Sequence, residues 1–129
     1  LRIRHVERVT NEIAQWMQTR PEVKLVLHPA LPGSPGHEIW KRDFTGSTGV
    51  FSFVLHDQYG ADAAALFIEA LEFFGIGASW GGIGSLALTY DLAKSRTHWP
   101  HKGALIRLNI GLEDERDLKA DLERGFAAL

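Results

Sequence analysis

Cysteine is absent from the chain, so it can build neither a disulfide framework nor a thiolate metal site. Long apolar runs are missing too. No segment approaches the roughly 18 to 20 residues that cross a bilayer, and the first residues lack the apolar stretch of a signal peptide. Neither sign of charge dominates: 14 Lys and Arg against 16 Asp and Glu leave a formal charge of -2, without the broad basic field that holds nucleic acid or an anionic membrane. These absences predict a soluble, cytoplasmic chain with no nucleic-acid or membrane partner. An initiator Met is also missing, and by Val6 the sequence is already inside an amphipathic pattern, which reads as the start of a fragment.

What is present suits one domain over residues 1–129: 45% hydrophobic and 23% charged residues are ordinary globular proportions. Val6, Val9, Ile13 and Met17, with Trp16 beside them, recur at helical spacing across residues 4–19 until Pro21. Val23 to Leu27 reads as a strand, and residues 29–49, punctuated by Pro29, Pro32, Pro35 and several glycines, as a long connecting arm. Val50 to Leu55 alternates as a second strand, with Phe51, Phe53 and Leu55 on one face. Ala63, Leu66, Phe67, Ala70, Leu71 and Phe74 form a helical stripe, capped by Asp62 and stopped by Gly75. Ser85 to Tyr90 and residues 104–110 supply further strands. Leu118, Leu122 and Phe126 define a last helix whose first turn carries Glu113, Asp114 and Glu115 as dipole charges. The order predicts an α+β fold, a small, mostly antiparallel sheet covered by helices on one face.

Arg107 is the residue that asks for a function. In Ala104 to Ile110 the residues Ala104, Ile106, Leu108 and Ile110 share one strand face and read as core; Leu105, Arg107 and Asn109 share the other. That second face is either solvated or the floor of an anion-binding cleft, because a guanidinium flanked by apolar residues suits a carboxylate or phosphate. Ser79-Trp80-Gly81-Gly82 could wall such a cleft, its glycines permitting close backbone approach. Other motifs read as structural. Gly75-Ile76-Gly77 fails as a dinucleotide fingerprint because Trp80 stands at the third glycine, and Thr45 to Gly49 reads as a turn. The six histidines, His98 and His101 included, read as surface residues, and no metal site is expected. Lys41-Arg42 reads as a solvated loop pair.

Several longer segments carry a resemblance: His28-Pro29-Ala30-Leu31-Pro32-Gly33, Gly36-His37-Glu38, Trp40-Lys41-Arg42-Asp43-Phe44-Thr45-Gly46-Ser47, Gly49-Val50-Phe51-Ser52-Phe53, Ser79-Trp80-Gly81-Gly82 and Leu105 to Asp114. Together they resemble the C-terminal domain of the Cys/Met-metabolism family of pyridoxal-phosphate enzymes, in its cystathionine β-lyase branch, over essentially all 129 residues. The resemblance implies the small domain of a fold-type I enzyme of methionine biosynthesis and transsulfuration, a cytoplasmic homotetramer that splits cystathionine into homocysteine, pyruvate and ammonia. It implies that Arg107 clamps the α-carboxylate of an amino-acid substrate, with Ser79 and Trp80 completing the pocket. It also implies pyridoxal phosphate in the parent, held as a Schiff base by a lysine of a preceding domain.

Lys24, Lys41, Lys94, Lys102 and Lys119 lie in nothing like that lysine's motif, so the chain alone is expected to bind no cofactor, to hold no catalytic residue and to be inactive. Gly84 stands where relatives commonly carry an acidic residue. Two alternatives stay open: a structural or assembly module using the first helix and the Pro/Gly arm, and a parent that is a related γ-synthase or γ-lyase.

Overall fold

The computed structural model describes residues 1–129. In chain order the elements are α1 (Arg2–Met17), β1 (Val23–Leu27), α2 (His37–Asp43), β2 (Val50–Leu55), α3 (Ala61–Glu69), β3 (Gly75–Ile76), β4 (Leu86–Tyr90), β5 (Leu105–Asn109) and α4 (Glu115–Ala127), with a single 3-10 turn at Leu92–Lys94. The strands form one sheet in the order β1-β2-β5-β4-β3. Every pair is antiparallel except β3 with β4. The expected fold class is therefore the observed one, and β5 lies at the centre of the sheet.

Strand pairing decides which residues meet the helices. Phe51 pairs with Leu108 and Phe53 with Ile106, and these four side chains point into the main core. From α1, Val9, Ile13, Ala14 and Met17 descend onto that face, as the stripe requires. From α4 come Leu118, Leu122 and Phe126, and each such burial contributes roughly 1.5 to 3 kcal/mol. Phe126 stands 5.0 Å from Phe67 of α3 and 6.1 Å from Phe53, edge-on or tilted, which are favourable aromatic geometries. Arg20 lies over the rings of Trp16 and Phe126, closing the end of this cluster. Asp114 caps α4 by accepting a hydrogen bond from the Arg116 amide at 2.9 Å. The Arg116 side chain, and then that amide, hold the Asp114 carboxyl down to about 2.

Four expectations need correction. The arm at 29–49 contains the short helix α2, whose His37 ring stacks on Trp40 and donates from Nδ1 to the Pro29 carbonyl at 2.8 Å. Glycines at positive φ, Gly33 and Gly36, make the turns that let it form, so Lys41 and Arg42 are helical, although exposed. The helix of the second stripe, α3, is capped by Gly60 rather than Asp62, begins at Ala61, and ends at Glu69. Gly75 then starts the strand β3.

The cause of that early end lies on α4. Asp121, 1% exposed, accepts hydrogen bonds from the amides of Glu72 and Phe73 at 2.8 Å each and from Phe74 at 3.3 Å. Those amides are drawn away from the helical carbonyls and the chain is turned into the sheet.

The fourth correction concerns His28, which is 1% exposed rather than on the surface. Its ring lies against Phe51, and Nε2 meets the Asn11 Oδ1 acceptor at 2.9 Å, so Nε2 carries the proton. Burial lowers its pKa, the charge of Glu7 opposing only in part.

Two predictions follow from these buried polar groups. Asp121→Ala leaves three amides without their acceptor and lowers unfolding stability by about 3 kcal/mol, read from urea midpoints; an unchanged midpoint refutes the account. For His28 the folded-state pKa lies below the unfolded 6.5, so the neutral ring carries no penalty above that value. As pH falls below it the unfolded chain binds a proton that the folded one resists, and stability declines until the folded pKa is passed. Replacing His28 by Leu should flatten that part of the stability–pH curve.

Candidate functional site

The second face of the sheet is less apolar, and it is where chemistry gathers. Strand parity places Arg107 opposite Ser52 of β2 and Leu88 of β4, and Asn109 opposite Val50 and Leu86. This face is not the solvated surface that one reading of the sequence allowed. Leu105 and Asn109 are buried and Arg107 is half-buried, and the connection between β3 and β4 folds back over Arg107 and Asn109.

Two glycines make the fold-back possible. Gly81 adopts φ +74, a conformation that residues with a Cβ rarely take. Gly111 passes so close beneath the Ile83 carbonyl that a Cβ there would collide with it, and the adjacent Leu112 amide bonds that same carbonyl at 2.8 Å.

The structure brings the sequence-derived site residues together. Arg107 Nη1 donates to the Ala78 carbonyl at 2.9 Å, and Nη2 makes a longer contact of 3.4 Å with the Ser79 carbonyl. These are the only acceptors that the chain offers it, and none of its ion pairs includes Arg107. A half-buried cation held by two neutral oxygens keeps three of its five N–H donors and its whole charge for an external anion.

Trp80, 67% exposed, follows Ser79 and overhangs a cavity of about 340 Å³ that also reaches Arg2, Thr48, Asn109, Ile110 and Leu112, while Arg107 and Ser79 lie outside its lining. An indole left this open offers an apolar wall to a ligand or a neighbouring domain. The Ser79 hydroxyl is exposed at the mouth of the loop.

Two participants escaped the sequence reading. Glu113, expected as a dipole charge, instead accepts from the Ser85 amide at 2.7 Å and from its hydroxyl at 2.8 Å. Ser85 Oγ in turn accepts from the Gly111 amide at 2.8 Å, so this triad locks the end of the loop to the exit of β5. Asn109 Oδ1 accepts from the Gly81 amide at 3.2 Å. For Asn109 a signal existed in the sequence, since it shares Arg107's face; for Glu113 none did, because its partner lies 28 residues away.

The chain's own residues do not form a cofactor site. Lys24 is engaged with Asp57 at 2.8 Å and Lys94 with Asp91 at 3.0 Å, and no lysine lines the cavity under Trp80. Histidine, aspartate and glutamate side chains nowhere gather in a group of three able to hold a metal ion. No helix is long and apolar enough to cross a membrane. What the arrangement can do is grip a planar anion, above all a carboxylate, beside an aromatic wall.

The chain is thus a two-layer α+β domain with a half-buried guanidinium, outside every ion pair, bonded to the loop that carries Trp80. The chain belongs to the family of Cys/Met metabolism PLP-dependent enzymes, whose sequence model it matches over residues 1–127. It is 50% identical over 129 residues to a putative cystathionine beta-lyase of Rhizobium johnstonii, covering 97% of this chain and 32% of that protein. With the cystathionine beta-lyase MetC of Escherichia coli strain K12 it shares 44% identity over 134 residues, covering 100% of this chain and 34% of the relative. Among solved structures, the O-acetylhomoserine sulfhydrylase of Wolinella succinogenes superimposes with a TM-score of 0.83 at 30% identity, over 96% of this chain and 34% of that one. The chain thus spans about a third of the length of the curated relatives it matches.

Proposed function

We propose that the chain is the small, C-terminal domain of a pyridoxal-phosphate-dependent carbon-sulfur β-lyase, and that it supplies recognition of the substrate's α-carboxylate. The single observation that carries this reading is Arg107: half-buried, without a counter-charge, and tied to the carbonyls of Ala78 and Ser79. In this reading Arg107 holds the carboxylate of cystathionine through its remaining N–H donors, while Ser79 and Trp80 shape the pocket around the bound amino acid. Pyridoxal phosphate provides the electron sink for the cleavage, and its lysine and phosphate contacts come from outside this chain. Similarity to two cystathionine beta-lyases over the whole chain favours the β-lyase. The sulfhydrylase likeness is the observation that keeps a related γ-type reaction as the alternative. Turnover of cystathionine against an activated homoserine by the full-length protein separates the two.

The experiment on the site itself is kinetic. In the full-length, cofactor-loaded protein, Arg107→Ala should raise KM for cystathionine about 100-fold, the loss expected for a charge-assisted pair. The 129-residue chain alone should neither release pyruvate nor show a pyridoxal absorbance band. An unchanged KM in the variant removes the reading of Arg107; pyruvate from the isolated chain removes the division of labour.

A second role accompanies the first. Ile39 of α2 and Phe44 just beyond it are 58% and 62% exposed, which leaves apolar area on the arm for contact within a cytoplasmic homotetramer. Sedimentation of the full-length protein should give a tetramer that Ile39→Lys with Phe44→Lys weakens; an unchanged tetramer assigns assembly to other surfaces.

A further inference from the structure

The loop that carries Ser79 and Trp80 is held by remarkably few bonds, and they are unequal. No backbone–backbone hydrogen bond involves residues 78–82; the neighbouring ones begin at Gly77, which donates to Ala87, and at Ile83, which accepts from Leu112. Within 78–82 the loop is tied down by side chains of one strand, Arg107 to the carbonyls of Ala78 and Ser79, and Asn109 to the amide of Gly81. These two residues are neighbours on one face of β5, roughly 7 Å apart by strand geometry.

Arg107 is the residue assigned to the substrate in the proposed function, on which this argument rests. Its bonds to the loop share a guanidinium with the ligand, which takes the donors that the loop leaves free. The Asn109 tie, made through Oδ1, uses no part of that guanidinium, although Asn109 also lines the cavity under Trp80.

Asn109 is also not accounted for by packing. It is 2% exposed, and its Nδ2 has no partner. A buried amide with an unmet donor is costly, and an apolar residue of similar volume would avoid that cost. The bond it does make lands one residue beyond Trp80, on the glycine whose φ of +74 reverses the chain.

We propose that Asn109 is a positioning residue for substrate recognition: its Oδ1 anchors Gly81 and thereby fixes the loop segment that carries Ser79 and Trp80, independently of whether Arg107 is engaged. Its loss loosens the wall of the pocket but leaves the charge that attracts the carboxylate. The effect therefore falls on binding rather than on turnover.

The test compares variants of the full-length, cofactor-loaded protein. Asn109→Ala should raise KM about tenfold with kcat within about threefold of the parent, and the Gly81 amide should exchange its hydrogen faster. In Asn109→His the ring Nδ1 stands as many bonds from Cα as the lost Oδ1, so it restores the acceptor. That variant should bring KM and Gly81 protection back toward the parent. If Asn109→Ala does not fold, Asn109→Ser, whose Oγ is one bond too short to reach Gly81, must show the same rise.

Unchanged KM in the Ala or Ser variant, with Arg107→Ala raising it, overturns this inference and leaves the proposed function standing. Equal loss of kcat and stability without rescue by His overturns it as well, since that is a folding defect alone. Unchanged KM in Arg107→Ala removes the functional reading beneath it.

Discussion

The parity of one central strand organises this molecule. β5 pairs on both sides, so every residue in it faces either the helices or the second face of the sheet, and a slip of one residue would exchange the two sets. Ile106 and Leu108 are fully buried against α1, α3 and α4, where a guanidinium could not be accommodated. The register that seals the core is thus the register that turns Arg107 and Asn109 toward the β3–β4 connection. Packing energy on one side of the strand sets the direction of the functional groups on the other, which gives the site a rigid floor although its wall is a loop.

The parts of the fold legible in the sequence are those whose cause is local. β1 and β2 could be read to the residue, β1 as a short run of branched apolar side chains that ends before His28-Pro29 and β2 from its alternation of apolar residues. The stripes of α1 and α4 could be read from apolar residues recurring every three or four positions. α3 misled because its apolar stripe continues through Leu71 and Phe74, while the amides that would continue the helix are taken by Asp121 from 47 to 49 residues away. Nothing in the local pattern announces an acceptor that far along the chain. Likewise α2, seven residues long and without a buried side chain, has no stripe to detect. At the site, Arg107 stood out because a charge interrupted an apolar run, whereas the Glu113–Ser85–Gly111 triad is visible only once β4 and β5 lie side by side.

Position 84, where the family resemblance implies an acidic residue, holds a glycine that its surroundings accommodate. A Cβ there would meet nothing nearer than the Glu113 carboxylate at 4.0 Å, so space does not forbid a side chain. Charge disfavours an acidic one. A carboxylate built out from position 84 would stand beside Glu113, whose two oxygens are already committed to Ser85. With glycine at 84, Glu113 meets the hydrogen-bonding needs of this corner alone.

The division of labour has a physical logic. Recognition of a carboxylate needs one well-oriented cation and a surface that limits how the ligand lies, and a small sheet with a moored loop meets both needs. Cofactor chemistry needs a lysine kept near its reactive geometry, and here Lys24 and Lys94 are held in exposed ion pairs while none of the others reaches the cavity under Trp80. The exposed indole and the guanidinium without a counter-charge belong to one stretch of the molecule, and the proposed role in carboxylate recognition accounts for both.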